Sequence, residues 1–343
     1  MSIQQKVYEL LKISIEEVAK EAGVSASTVS RVLSGSRVSI APETRHRVQQ
    51  IAESMGYVPN RAARALAKGS SQTIAIWAAH LRSRFTGLVV HYMSQELARH
   101  KYDMMIMAAQ YDQDAPLNSS HLMSWQVDGI IALDVPRGVV PSLKGSRLGD
   151  KPFATLGGYV VDRCDYVHVE FKNEVITAVR HLHSGGARRI AYLAPDWFEW
   201  FRQINDARLS GYDTAVNEIG LPAEYILTPN QKRETTGDAL KAYIESHGCP
   251  DGIFCYNDDM AIAAYRALRD IGRRIPEDVA LVGCDGIDDT LYLDAPLSTI
   301  VQPIEHMCLL TWMFLEKRIR IPDTPLQQVT VQPKLEIRQS SMR

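Results

Sequence analysis

Small hydroxyl-bearing side chains and one guanidinium cluster between residues 25 and 31 of the chain. The cluster consists of Ser25, Ala26, Ser27, Thr28, Ser30 and Arg31. Short side chains allow close approach to a nucleic acid, hydroxyls can bond base edges, and an arginine can contact phosphate. The chemistry that this segment offers is therefore recognition of double-stranded DNA.

Two short helices around a glycine are the elements that would present this cluster. Apolar residues recur at helical spacing in both, at Ile15, Val18, Ala19 and Ala22 in the first and at Val29, Val32 and Leu33 in the second. Gly23 can adopt the left-handed backbone that ends the first helix, and Ser25 can cap the second. This pattern is typical of a helix-turn-helix, which indicates sequence-specific DNA binding.

The following segment is predicted to complete the small unit and to connect it to the rest of the chain. A third helix is expected from about Pro42, which suits a first-turn position, to Met55. Pro59 then interrupts the chain, and residues 60–67 have high helix propensity. Residues 69–71, Gly-Ser-Ser, are typical of a flexible linker. We therefore expect a hinge between a head and a body.

Charge is distributed unevenly along the chain, although the formal net charge is only −2. Residues 1–70 contain ten basic and six acidic side chains, whereas residues 71–343 contain 28 basic and 34 acidic ones. A basic head on an acidic body suits a head that meets phosphates and a body that does not. The asymmetry supports DNA binding by the first segment.

The composition indicates a globular cytoplasmic protein. The apolar fraction is 45%, no apolar run approaches the length of a membrane span, and the first residues lack the pattern of a signal peptide. The cysteines lack the spacing of metal ligands and are expected to be reduced thiols, at Cys164, Cys249, Cys255, Cys284 and Cys308. We expect no cofactor, no metal site and no membrane contact.

From residue 72 onward, short apolar strands alternate with longer helices. Strands are predicted at Thr73–Ala78, Met104–Ala109, Gly129–Leu133, Phe153–Leu156, Val167–Val169, Ile190–Leu193, Gly252–Cys255 and Val279–Gly283. Helices are predicted at Gly87–His100, Lys172–Ser184, Ala207–Ile219, Thr235–Ser246, Met260–Ile271 and Ile304–Arg318. This alternation predicts an α/β fold with parallel sheets, in two lobes. Ligands in such folds bind at the carboxyl ends of the strands, here in the cleft between lobes.

Short sequence motifs in the head and in the body together form one pattern. In the head they are Val18–Leu33, Tyr57-x-Pro59-Asn60 and Ala63-Arg64-x-Leu66, and in the body Arg208-x-x-Gly211-Tyr212, Asn257-Asp258, Ile275–Asp285 and Leu297–Pro303. Together they resemble the lactose/galactose repressor family of bacterial transcription regulators, over nearly the whole chain after residue 12. The resemblance implies a helix-turn-helix head and a two-lobed body like that of periplasmic sugar-binding proteins. The expected segments are an extension (1–12), a DNA-binding domain (13–58), a hinge helix with linker (59–71) and an effector-binding and dimerisation domain (72–343).

The resemblance also implies a homodimer, or a pair of dimers, whose heads bind a palindromic operator. The recognition helix would be residues 25–33, and Ala26 and Ser27 would stand where such proteins vary most with operator sequence. Three further residues match positions that face the DNA, namely Thr28, Ser30 and Arg31. The alternative for Thr28 and Ser30 is a place on the helix surface or in its cap.

The hinge carries a second expected DNA contact. Leu66 matches the leucine that such repressors insert into a central base step through the minor groove, which unstacks the step and bends the duplex. Asn60, Ala63 and Arg64 would line the same groove. The alternative is that Leu66 packs against the body.

Four polar residues are expected to bind a small effector in the cleft. Arg208, Asn257 and Asp285 offer a forked donor, an amide and a carboxylate, which is a set suited to vicinal hydroxyls. Gln302 matches a further cleft position near the crossover between lobes. Each residue also has an ordinary structural interpretation, as a surface ion pair for Arg208, a turn residue for Asp285 and a helix cap for the pair Asn257-Asp258. For Asp258 we favour the cap.

Aromatic residues follow the strand at 190–193, in a segment predicted to be a loop that borders the cleft. Trp197 and Trp200 could stack on a sugar face or could cover a core, and the two possibilities stay open.

Differences from the family pattern bear on the charge of the effector. Gly157 stands where several sugar-responsive members carry an acid, and Arg82 and Arg84 occur in the first cleft loop. A lost carboxylate and gained guanidiniums would suit a sugar phosphate or a sugar acid. The favoured alternative is that both arginines are solvated loop charges around a site for a neutral sugar.

Three classes of function are consistent with an α/β body. An effector-controlled transcription repressor is the leading hypothesis, in which the effector changes the angle between the lobes and separates the hinge pair. An enzyme would use Asn257, Asp258, Asp259 and Asp285 as an acidic site, but the sequence has no phosphate loop and no nucleophile elbow. A transport protein is disfavoured by the DNA-binding head.

Overall fold

The computed structural model describes residues 13–34, 39–58, 69–78, 80–108, 126–134 and 143–343. The chain divides into two compact units, Met1–Ser71 and Gln72–Arg343. The predicted extension at residues 1–12 and most of the predicted hinge, residues 59–68, lie outside the described residues.

The described part of the first unit is helical, with α1 (Ile15–Glu21), α2 (Ala26–Leu33) and α3 (Pro42–Ser54). Their shared core is apolar and includes Val18, Ala22, Val29, Val32, Val48 and Ala52. Ser14 and Glu17 form a capping box at the start of α1, and Gly23 has a φ of +63° in the turn that follows. The predicted helix-turn-helix is confirmed, since Gly23 lies in the turn and Ser25 caps α2 as expected, whereas the capping box of α1 was not predicted.

The second unit alternates strands and helices. In chain order its described strands are β1 (Thr73–Ala78), β2 (Asp103–Ala108), β3 (Gly129–Leu133), β4 (Leu143–Lys144), β5 (Arg147–Leu148), β6 (Lys151–Gly157), β7 (Asp165–Val169), β8 (Ile190–Pro195), β9 (Glu224–Thr228), β10 (Gly252–Cys255), β11 (Ala280–Asp285), β12 (Ser298–Val301), β13 (Gln328–Val331) and β14 (Lys334–Glu336). Its described helices are α4 (Arg84–Arg99), α5 (Lys172–Ser184), α6 (Phe198–Gln203), α7 (Ala207–Glu218), α8 (Arg233–His247), α9 (Asp258–Asp270) and α10 (Ile304–Arg320).

The strands form a separate sheet in each of two lobes. The first sheet has the order β13-β7-β6-β3-β1-β2 with parallel pairing, and the small β4–β5 hairpin joins it at β6. The second has the order β14-β12-β11-β10-β8-β9, in which β14 alone of the described strands runs antiparallel. The chain therefore passes between the lobes after β7, after β12 and after β13. The predicted two-lobed α/β fold is confirmed.

Two local predictions need correction. The segment after β8 was expected to be a loop, but residues 198–203 form the short helix α6. Several strands were not predicted, namely β4, β5, β9, β12, β13 and β14. Within the described part of the chain, no helix is both long and apolar enough to cross a membrane.

Candidate functional site

The recognition helix α2 presents part of its predicted DNA-contacting set to solvent. Ser27, Ser30 and Arg31 are exposed, whereas Ala26 is half-buried and packs against the core of the head. The hydroxyl of Ser25 accepts a hydrogen bond from the backbone N–H of Thr28 and therefore caps α2. The hydroxyls of Ser27 and Thr28 lie 2.8 and 2.9 Å from the same Ser25 oxygen.

The predicted DNA contacts of the hinge lie outside the described residues. Asn60, Ala63, Arg64 and Leu66 belong to residues 59–68, which are not among the described residues. Their role in the minor groove stays a prediction. The structure shows that Ser27, Ser30 and Arg31 of α2 are exposed, and their contact with DNA stays a prediction as well.

Strand ends of the second lobe bring a buried polar cluster together. Asp285 ends β11, Gln302 follows β12, and Arg208 comes from the first turn of α7. The Nε2 of Gln302 donates a hydrogen bond of 2.9 Å to Asp285 Oδ1, and an Nη of Arg208 lies 3.7 Å from the same oxygen. All three side chains are buried. The structure thus brings together three of the four predicted effector-binding residues, whereas the side chain of Asn257 bonds Gln231 and Met260 instead. Effector binding by these residues stays a prediction.

Aromatic rings enclose the guanidinium of this cluster. The Arg208 Cζ lies 4.0 Å from the ring centre of Phe171 and 4.7 Å from that of Tyr256. Phe171 stands at the crossover from β7 to α5, and Tyr256 follows β10. Guanidinium groups over ring faces are held by cation–π attraction. The arginine is thus fixed in one orientation.

Burial also controls the protonation of the cluster. Burial raises the pKa of Asp285 well above its ordinary value, and the charge of Arg208 opposes that shift. Burial by itself lowers the pKa of Arg208, but Cys284, Tyr256 and the carboxylates of Asp206 and Asp285 outweigh it and raise that pKa. We conclude that the guanidinium stays charged in this pocket.

Two buried atoms of the cluster are left without a partner. Arg208 Nε and Gln302 Oε1 make no hydrogen bond within the part of the chain that the structure describes. An unpaired buried polar group costs about 1–3 kcal/mol, so native proteins rarely keep one without a reason. Arg208 Nε is a donor and Gln302 Oε1 is an acceptor. A hydroxyl group can accept a hydrogen bond from a donor and donate one to an acceptor.

The residue that caps α9 is Asn257 and not Asp258. The Oδ1 of Asn257 accepts from the N–H of Met260, which makes Asn257 the cap of α9, while its Nδ2 donates to Gln231 Oε1 at 3.0 Å. The prediction that Asp258 is the cap is wrong, because its carboxylate points toward the β11 turn. There it accepts hydrogen bonds from Gly286, Ile287 and Thr299.

Trp197 lies beside the cleft. Its ring stacks on His80, which follows β1 in the first lobe, with ring centres 5.9 Å apart and an interplanar angle of 21°. It also meets Phe201 of α6 in an edge-on arrangement, with ring centres 6.0 Å apart. Trp200 lies in α6, and its contact with an effector stays a prediction.

The two predicted loop arginines do not join the Arg208 cluster. Arg82 is exposed in the turn before α4. The Nε of Arg84 lies 3.2 Å from Asp289, and its backbone N–H donates to Asp259. Asp259 in turn accepts two hydrogen bonds from Arg233. Arg84 therefore takes part in an ion-pair network between the lobes.

Several residues of the cleft were not predicted from the sequence to be effector contacts. Asp134 follows β3 directly and accepts a hydrogen bond of 2.8 Å from the N–H of Gly158. Tyr159 lies at hydrogen-bond distance from Tyr256, and Phe171 covers Arg208. Asp134 could have been noticed, because it stands just after a predicted strand, as Asp285 does. The aromatic residues carry no such positional signal.

Comparisons with known proteins match both units. Residues 14–60 match the family model for bacterial regulatory proteins of the lacI family, and residues 179–341 match the periplasmic binding protein-like domain. Catabolite control protein A of Priestia megaterium is 27% identical over 96% of this chain and all of its own length. The ribose operon repressor of Haemophilus influenzae is 27% identical over 95% of this chain and 98% of its own.

Solved structures agree over nearly the full length. The complex of the transcriptional regulator CelR with cellobiose has a TM-score of 0.65 at 26% identity, and covers 96% of this chain and all of that one. The lac repressor dimer bound to operator has a TM-score of 0.79 at 20% identity over 96% of this chain and 99% of that one. A helix-turn-helix head on such a body defines a DNA-binding transcription regulator. The predicted resemblance to the lactose/galactose repressor family is confirmed, since the head matches the model of the lacI family and the body that of the periplasmic binding protein-like domain.

Proposed function

We propose that this protein is a homodimeric repressor of carbohydrate-metabolism genes, controlled by a small sugar-derived effector in the cleft. One observation carries the proposal, namely the buried Arg208–Asp285–Gln302 cluster with an unpaired donor and an unpaired acceptor. A sugar hydroxyl can accept from a donor such as Arg208 Nε or donate to an acceptor such as Gln302 Oε1. The relatives named as a ribose operon repressor and as a cellobiose complex support the same class of ligand.

The charges favour a neutral effector over a phosphorylated or acidic one. The guanidinium of Arg84 pairs with Asp289, so it does not offer its charge to a ligand beside Arg208. Arg208 itself already faces the carboxylate of Asp285. An anion beside Arg208 would therefore meet the carboxylate of Asp285, and like charges in a buried site repel strongly.

Operator binding is assigned to the head and the hinge. We assign residues 13–58 to the DNA-binding domain, residues 59–71 to the hinge and residues 72–343 to the effector-binding and dimerisation domain. Ser27, Ser30 and Arg31 are the exposed candidates for base and phosphate contacts. Four hinge residues are proposed for the minor groove on the sequence pattern, namely Asn60, Ala63, Arg64 and Leu66.

An enzymatic role is not part of the proposal. The carboxylate of Asp258 is bonded to two backbone N–H groups and to Thr299, and Asp259 is bonded to Arg233. These acids therefore have structural partners and are poorly placed to act as an acid or base. We propose the cytoplasm as the place of action, since the operator is on bacterial DNA.

The proposed control works through the arrangement of the two lobes. The effector would bind at the strand ends, and the contacts of Arg84 with Asp289 and of His80 with Trp197 join the lobes beside it. A ligand can change the balance between two arrangements only by its differential affinity for them. The lobe angle would then set the spacing of the two hinges in the dimer.

The test has two stages with the full chain. Selection from a randomised double-stranded library should enrich a palindromic sequence, and neutral sugars are then added to the complex. The effector should change operator affinity by roughly fivefold or more, and the Arg208→Lys variant should bind the operator but lose that response. Enrichment of no sequence would overturn DNA recognition. A response kept in full by Arg208→Lys would overturn the assigned cleft.

A further inference from the structure

A carboxylate occupies the space where residue 157 would carry its side chain. A Cβ built on Gly157 would lie 2.0 Å from Asp134 Oδ1 and 2.8 Å from its Cγ. Gly157 has a φ of +140°, which few other residues adopt. The next residue, Gly158, donates its N–H to the same Asp134 oxygen at 2.8 Å. The two glycines thus form a backbone cradle for the Asp134 carboxylate.

The pairing of two strands produces this arrangement. Strands β3 and β6 are parallel neighbours, with Leu133 opposite Leu156. Asp134 and Gly157 are the next residues along, so they lie side by side at the carboxyl ends of both strands. Ligands of parallel sheets bind at this end. The space that a side chain at position 157 would fill is therefore occupied by the Asp134 carboxylate, which follows the neighbouring strand.

The cradled carboxylate lies close to the Arg208 cluster. A Cβ on Gly158 would be 3.7 Å from an Nη of Arg208, so the guanidinium and the carboxylate flank the same glycine. Asp134 Oδ1 accepts the hydrogen bond from the Gly158 N–H, whereas Asp134 Oδ2 accepts none from any residue that the structure describes. Burial raises the pKa of Asp134, against the Gly158 N–H and the charges of Arg208 and His80. A carboxylate desolvated in this way gains from a hydroxyl donor.

We propose that Asp134 binds the effector, accepting hydrogen bonds from hydroxyls of a neutral sugar ring that also contacts Arg208 and Gln302. This inference rests on the proposed function, and it names the chemistry of the ligand. Asp134, Asp285 and Gln302 Oε1 provide acceptors, whereas Arg208 provides the charged donor. A ligand that satisfies them needs several hydroxyl donors and no negative charge. A free sugar and the ribose of a nucleoside share that chemistry.

The experiment compares wild type with two matched acid-to-amide variants. Asp134→Asn keeps an oxygen for the Gly158 N–H but loses the charge. Asp196→Asn removes an exposed charge just after β8, in the lobe that does not contain the glycine cradle. Each protein is melted with aldopentoses, aldohexoses, disaccharides and nucleosides, and with sugar phosphates and sugar acids. A compound that raises the melting temperature is then titrated by calorimetry, together with its monodeoxy derivatives.

The expected result is a neutral compound whose affinity falls roughly ten- to a hundredfold in Asp134→Asn and is unchanged in Asp196→Asn. One monodeoxy derivative should bind wild type weakly and show no further loss in Asp134→Asn. Equal affinity of wild type and Asp134→Asn for a neutral compound would overturn the role of Asp134 and leave the sugar-responsive repressor standing. Stabilisation of wild type by anionic compounds alone, or by no compound, would overturn the neutral-sugar effector and this inference with it.

Discussion

Arg84 and Asp289 form an ion pair across the cleft, with the Nε of Arg84 3.2 Å from Asp289 Oδ2. Arg84 begins the first helix after β1, in one lobe, whereas Asp289 lies in the short turn after β11, in the other. Arg233 also approaches Asp289, at 3.8 Å, while it binds Asp259. The two lobes are therefore linked on the rim of the proposed effector site.

We expect Arg84→Ala to weaken effector binding two- to fivefold, because exposed ion pairs contribute about 0.2–1 kcal/mol. The loss of effector affinity should be smaller at high salt, because salt screens the interaction between exposed charges. Calorimetric titration of the neutral sugar at low and high ionic strength measures both effects. Arg82→Ala is the matched control, since Arg82 is exposed in the turn just before α4. Equal losses in both variants would show that the Arg84 ion pair has no part in holding the lobes together.

Much of the fold could be predicted from local patterns. Strands β3 and β10 have the bounds expected from the sequence because each is a buried apolar run, and helix α5 has them because its apolar residues recur at helical spacing. The head was predictable for a similar reason, since Gly23 and Ser25 impose their turns locally. The strands β13 and β14 were missed, because they pair with strands far away in the chain.

The candidate site was predictable to a lesser degree. Arg208, Asp285 and Gln302 carry a recognisable pattern, whereas the place of Asp134 depends on the register of β3 against β6. Similarly, which residue of the pair Asn257-Asp258 caps α9 is decided by the backbone torsions at Asn257. Local composition does not predict contacts that depend on strand register or on the backbone torsions of a single residue. They appear only when the strands are assembled.

The buried ion pair of Arg318 and Asp165 should contribute strongly to the stability of the body. Two guanidinium nitrogens donate to the two carboxylate oxygens at 3.0 and 2.9 Å, with side chains 2% and 0% exposed. Asp165→Ala leaves a buried charge unpaired, so we expect a loss of about 3–5 kcal/mol in the free energy of unfolding. Urea titration measures it.

An exposed ion pair provides the comparison for that experiment. Asp278 pairs with Arg274 at the surface, and Asp278→Ala should cost less than about 1 kcal/mol. The double variant Asp165→Leu with Arg318→Met should recover much of the stability lost in Asp165→Ala, since it leaves no lone charge. If Asp165→Ala and Asp278→Ala lost similar amounts, the buried pair would not have the importance assigned to it.

Two serines of the recognition helix should separate stability from DNA binding. Ser25→Ala removes the cap of α2, and we expect it to lower the stability of the head by about 1 kcal/mol. Ser30 is exposed, so Ser30→Ala should leave stability within about 0.5 kcal/mol. Its affinity for the selected operator should nevertheless fall about fivefold through a lost hydroxyl contact.

Circular dichroism melts and fluorescence anisotropy at one fixed salt concentration measure these two effects on the serine variants. Non-specific DNA of the same length is the control, because it reports phosphate contacts without base recognition. Operator affinity of Ser30→Ala equal to that of wild type would show that this hydroxyl does not face the bases.

Gly157→Ala should abolish effector binding through a steric effect on Asp134. The added methyl would overlap Asp134 Oδ1 and push the carboxylate out of its cradle. A positive φ adds strain of roughly 1–2 kcal/mol for any residue with a Cβ.

Gly186 also has a positive φ, of +98°, but a Cβ there meets no described atom within 4 Å. Gly186→Ala is therefore a control with the strain and without the overlap. We expect both variants to melt at lower temperature, and Gly157→Ala alone to lose calorimetric binding of the neutral sugar. Comparable binding by both variants would mean that the position of the Asp134 carboxylate is irrelevant to the effector.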